Sequence, residues 1–187
     1  MDYEEITELL RKDIKKWVLE EQKIHEVDAV PISAQDKLLL NSYFEPSILN
    51  SVKIKIVSSI PAPDFSPKTK KILKQNGFNF DKIAGLALVD CIVMPMEQKV
   101  KGLKWTSLLF HELVHCTQYK LLGISKYIEL WVNGLVNNDF KYEKNPFEIV
   151  ASNLHRRFEE GKKFSVSEAI INEAQYHNIK LPYQTFS

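Results

Sequence analysis

The segment Leu108-Leu109-Phe110-His111-Glu112-Leu113-Val114-His115-Cys116-Thr117-Gln118-Tyr119 decides how the chain is read. It sits in an apolar stretch that starts at Leu103 and closes at Gly123, which predicts a helix over about 103–121. Helical residues four apart share a face and differ by about 6 Å in rise, so the imidazoles of His111 and His115 can approach one tetrahedral ion. Glu112 stands on the rim of that face, where a carboxylate can accept a proton from a metal-activated water without ligating the metal. The surrounding Leu108, Leu109, Phe110, Leu113 and Val114 would bury the helix. Imidazoles and a carboxylate buried without partners are costly, and a metal supplies the partner. The expectation is a single zinc site of the metallopeptidase type.

Two histidines leave a third ligand to find, because a catalytic zinc keeps three protein ligands and one position for water. Glu129, Asp139, Glu143, Glu148 and His155 all lie downstream. Glu148 stands out, just inside an Asn145-Pro146 helix start and followed by Ile149, Val150 and Ala151. Its ordinary alternative is a first-turn acid favoured by the helix dipole. Tyr142 and His155 are the candidates for stabilising a developing oxyanion, although each also has a packing or structural reading. Gln118 and Tyr119 share the ligand stripe and either orient an imidazole or pack in the core. Cys116 is turned about 100° round the helix from His115 and reads as a small buried apolar residue.

Outward from this helix, residues 3 to about 25 form an amphipathic pattern through Ile6, Leu9, Leu10, Ile14, Trp17 and Val18. A short helix is expected from the N-cap Ser33 to about Phe44, before Pro46. Val52, Ile54 and Ile56 alternate with lysines as in a half-buried strand. Ser66-Pro67 opens a helix that ends at Asn76-Gly77. The run from Ile83 to Met94 reads as strands ending near Pro95, and Ile92-Val93-Met94 suggests an edge able to pair with an extended peptide. Further helices are expected at about 124–137, 146–159 and 165–177. The fold class is α+β, mostly helical, with a small sheet packed beside the motif helix. Residues 1–60 form an N-terminal extension packed on a 61–187 metallopeptidase-like domain, and the two make one unit.

Composition excludes other classes. The 187 residues carry a net charge of +1, so no overall field draws the protein to nucleic acid or to an anionic membrane. No apolar run approaches a bilayer span. The start, Met-Asp-Tyr-Glu-Glu-Ile, lacks the basic and apolar regions of a secretory signal, and two cysteines give no disulfide framework. A cytoplasmic protein is expected.

The run 108–119, then Leu122-Gly123-Ile124, Tyr127, Tyr142 and Asn145-Pro-Phe-Glu148-Ile-Val-Ala151, resembles compact gluzincin-like metallopeptidase domains of the kind found in bacterial toxin and contractile-injection-associated proteins. Residues Ala84–Val93 resemble the strand pair that such domains place before the motif helix. The resemblance spans roughly 80–155 and leaves 1–60 unmatched. It implies one zinc held by His111, His115 and Glu148, with Glu112 as general base. The sequence departs from the pattern in having apolar Ile149 and Val150 where relatives carry another acid, and in having Cys116 at a usually apolar position. Two functions follow as expectations. The first is a zinc-dependent hydrolase cleaving a peptide bond of a peptide or protein substrate. The second is a catalytically silent zinc-binding scaffold that docks partners through the 3–25 helix.

Overall fold

Helix α1 (Tyr3–Glu26) begins in a capping box, with Asp2 accepting from the Glu5 amide and the Glu5 carboxylate accepting from the Asp2 amide. The coordinates are a computed structural model, and the residues it describes are 2–60, 62–78, 80, 83–99 and 103–176. Leu10, Ile14, Trp17 and Val18 form the buried face of α1, as their spacing requires.

The single helix expected over 33–44 is shorter and is followed by a second one. Helix α2 spans Ala34–Leu40, capped by Ser33, and α3 spans Pro46–Ser51. Pro46 is therefore a start signal as well as a stop, since the missing N–H of proline costs nothing in a first turn. Strand β1 (Val30–Pro31) is too short to show any alternation and was invisible to periodicity. Strand β2 (Lys53–Val57) and helix α4 (Pro67–Gln75) match expectation, the latter with Ser66 as N-cap and Gly77 at a φ of 72° just beyond its end.

Strands β3 (Leu86–Leu88) and β4 (Cys91–Pro95) and the short helix α5 (Met96–Lys99) lead to α6 (Leu103–Leu122), the motif helix. Gly123, at a φ of 73°, separates it from α7 (Ile124–Asn137). A 3-10 turn (Tyr142–Lys144), α8 (Pro146–Glu159) and α9 (Val166–Tyr176) complete the order. Residue 177, the expected end of the last helix, lies outside the described residues.

The four strands form one mixed sheet in the order β1-β2-β4-β3. Strand β2 pairs antiparallel with β1 and parallel with β4, and β3 pairs antiparallel with β4, Ala87 facing Ile92. This corrects the edge expected at Ile92-Val93-Met94, which lies inside the sheet with all three residues fully buried. An unbroken apolar run is the mark of a strand covered on both faces, whereas an edge strand exposed on one face alternates. Both faces are in fact covered. Ile92 and Met94 pack with Leu109, Phe110 and Leu113 of α6, while Cys91 and Val93 pack in the cluster that holds α1 and α7. Among the described residues no helix is long and apolar enough to cross a membrane.

Candidate metal centre

Helix α6 is apolar around nearly its whole circumference through Leu109, Phe110, Leu113 and Val114, all fully buried. Ser107, His111, His115 and Gln118 lie on the side turned to α8. Helix α8 is fixed there by its own start: buried Asn145 accepts from the Phe147 amide at 3.1 Å and donates Nδ2–H to the Trp131 carbonyl at 2.9 Å. Gly134 makes this docking possible, since a β-carbon there would lie 2.8 Å from Cδ of Pro146. Glu148 thereby enters the first turn of α8 with 4 % exposure, facing both histidines.

Three donor atoms converge. His111 Nε2 lies 3.2 Å from His115 Nε2, and Glu148 Oε2 lies 3.3 Å from His115 Nε2 and 3.6 Å from His111 Nε2. A tetrahedral ion with bonds of about 2.0–2.1 Å separates its ligands by about 3.3 Å, so this triangle has the edges of one ligand face. Two imidazole nitrogens and a carboxylate oxygen, nearly shut off from water, are the donor set a metal would satisfy. His111, His115 and Glu148 thus form a group that can hold a metal ion.

The imidazole of His115 is held from behind. Its Nδ1 lies 2.9 Å from Gln118 Oε1, and Gln118 Nε2 donates to the Phe147 carbonyl at 3.3 Å. An Nδ1–H donated to Gln118 leaves the Nε2 lone pair directed at the other donors. Gln118 therefore orients the His115 ring. Tyr119 packs, its ring stacked on Tyr127 at 3.7 Å between centroids.

The electrostatics follow from burial and proximity. Burial opposes charge on both His115 and Glu148, but their mutual attraction outweighs it. The histidine is raised to about 9, and the carboxyl is held well below the usual carboxylate range. Glu112, 4 % exposed, is pushed upward by burial, against the pull of the two histidines and a hydrogen bond from the Ala87 amide. Cys116 is buried and its thiol pushed well up by desolvation, so it is an inert packing residue.

No known family model matches this chain, and no curated protein or solved structure matches it either.

The remaining candidates separate. Glu129, Asp139, Glu143 and His155 do not join the three-donor group. Tyr142 lines a cavity together with Glu112, His115 and Glu148, and burial, with the nearby Glu148 and Glu112 carboxylates, pushes its phenol well up. His155 is engaged elsewhere: its Nε2 lies 2.5 Å from Ser107 Oγ, which donates to Glu159 at 2.6 Å. Its ring still stands 5.6 Å from that of His111, and burial together with the neighbouring His111 lowers its pKa.

Three contributors escaped sequence reading: Ser107, Gly85 and the α1 side of the cavity. Of these only Gly85 left a signal, since a glycine inside a strand-like run marks a close approach. A β-carbon at Gly85 would lie 2.6 Å from Glu112 Oε1 and 2.9 Å from its Cγ. Gly85→Ala is therefore expected to swing the Glu112 carboxylate aside. The clash falls on a flexible side chain, so melting temperature and metal content should barely change. Thermal unfolding and elemental analysis on one preparation would check this, and a large loss of either would mean that the strain falls on the backbone and not on a movable side chain.

Proposed function

We infer that the protein is a zinc-dependent hydrolase that cleaves a peptide bond, with His111, His115 and Glu148 as metal ligands and Glu112 as general base. One observation carries the reading. A three-donor triangle with tetrahedral edges stands beside a buried carboxylate that is not one of the donors. A structural zinc is closed by four protein ligands, whereas three donors leave a position for reaction.

Zinc held there would supply a Lewis acid and a water acidified toward neutrality. The chain's own groups do the rest. Glu112, raised by burial and close to both histidines, accepts a proton from water and returns it to the leaving amine. Burial also pushes the Tyr142 phenol well above its ordinary value, so it stays protonated and can donate to an oxygen acquiring charge. His155, with Nε2 committed to Ser107, is assigned to holding α6 against α8. A peptide substrate is supported by the sheet: β3, whose Ala87 amide reaches Glu112, is an end strand with one edge unpaired by other strands among the described residues.

The test is metal content and cleavage measured on the same purified protein. One zinc per chain, absent from His111→Ala, is expected. Digestion of a mixed peptide library read by mass spectrometry should stop on chelation and resume when zinc is restored. A wild-type protein that takes up no metal even when zinc is supplied would overturn the reading.

A further inference from the structure

Beside Glu112 the interior is not filled. A cavity of about 70 Å³ opens there, with Glu112, His115 and Glu148 on one side. The rest of its lining is mostly apolar and includes Ile14, Trp17 and Val18 of α1 together with Phe80, Leu86 and Ile128. Protein interiors are close-packed, and voids larger than a water molecule are few. A hydrocarbon-walled void against the groups that would do the chemistry has the build of a ligand pocket: apolar walls, with a few polar atoms converging at one end.

Size narrows the occupant. A cavity of about 150 Å³ with aliphatic and aromatic walls holds benzene. One of about 70 Å³ is too small for a six-membered ring and suits a branched chain of three or four carbons. We propose that this cavity receives an aliphatic substrate side chain, Val or Leu in size, beside the bond to be cut, and that α1 sets its depth through Ile14 and Trp17. The proposal rests on the peptidase reading above. It gives the N-terminal segment a share in specificity, although that segment lies outside the stretch that carries the ligands.

Binding tests it without turnover. The zinc-loaded protein is titrated calorimetrically with the hydroxamates of glycine, leucine and phenylalanine, which share one metal-binding group and differ in side chain. Leucine hydroxamate is expected to bind at least about tenfold more tightly than either of the others, as burial of a four-carbon chain implies. Ile14→Ala should raise phenylalanine hydroxamate to at least the affinity of leucine hydroxamate. Ile14→Phe should bring leucine hydroxamate down to the glycine level, with zinc still at one per chain. If Ile14→Phe does not fold, Val18→Leu narrows the same wall by one methylene and should weaken leucine hydroxamate several-fold. Equal affinities across the series, or a ranking indifferent to Ile14 and Val18, would overturn the pocket and leave Glu112-dependent cleavage untouched. Selective binding without any peptide cleavage would sustain the pocket and remove the peptidase reading.

Discussion

Glu112→Gln is expected to leave one zinc per chain in place and to lower peptide cleavage by about 10²–10⁴-fold, the usual contribution of a positioned general base. Glutamine keeps the size of the side chain and an oxygen that can accept from the Ala87 amide, so the packing against Gly85 and β3 survives. What it loses is basicity. The substitution should also stabilise the metal-free protein at neutral pH. The folded-state pKa of Glu112 is raised, mainly by burial, so ionising it is harder in the folded chain than in the unfolded one. Wild-type stability from this group therefore falls as pH rises from about 4.5 through the folded value, and the glutamine variant escapes that fall. A melting temperature at pH 8 equal to or above wild type, with cleavage gone, separates a catalytic carboxylate from a structural one. A large loss of stability together with zinc would mean that Glu112 holds the site together and does not act as its base.

Much of this site was legible because it is written on helices. His111 and His115 meet at one point because a helix brings residues four apart onto one face, and both helix ends were marked by Leu103 and Gly123. Glu148 was readable from Asn145-Pro146, which sets α8's first residue and so the direction its first-turn acid takes. What could not be read is what depends on three dimensions. The cavity wall from Trp17 lies nearly a hundred residues from His111 in sequence, and amphipathic spacing says only that Trp17 is buried, not what it faces. Ser107 belongs to the His111 stripe, but serine is too common in helices to flag itself, and only its contacts with His155 and Glu159 give it a role.

The sheet shows the same limit from the other direction. Its strands were found wherever alternation or a β-branched run lasted about five residues, and β1, at two residues, was not. Periodicity does not encode strand order, so the apolar run Ile92-Val93-Met94 carries no mark that separates an edge from a central strand. Pairing β2 in parallel with β4 places that run between neighbours and leaves β3 at the end, beside Glu112. The correction matters for the proposed function, because β3, the strand beside Glu112, ends the sheet with one edge unpaired by other strands among the described residues.

Glu148→Ala should have the largest effect on both metal and stability. Losing one of three protein donors is expected to weaken zinc binding by on the order of 10³-fold or more, given total energies of about 10–16 kcal/mol for zinc held by a full ligand set. Without metal, the same change removes the partner that holds His115 charged in a buried place. Breaking a buried pair in this way costs about 3–5 kcal/mol. The pH dependence identifies the cause. In the metal-free wild type, the His115 contribution is fully present below about 6.5 and is lost as pH rises through its folded value of about 9. Glu148, held well below the usual range, contributes above about 4.5 and loses its contribution as pH falls below that. Stability from the pair should therefore peak between about pH 4.5 and 6.5 and decline toward 9. With alanine at 148, His115 keeps its desolvation, opposed by the influence of Glu112 and the hydrogen bond to Gln118, so the alkaline decline should flatten. Urea titrations of metal-free wild type and variant at pH 5.5 and 9 would measure this. A gap between the two proteins that is wide at pH 5.5 and narrow at pH 9 is the expected result, while a gap independent of pH would mean that Glu148 stabilises the fold by packing alone.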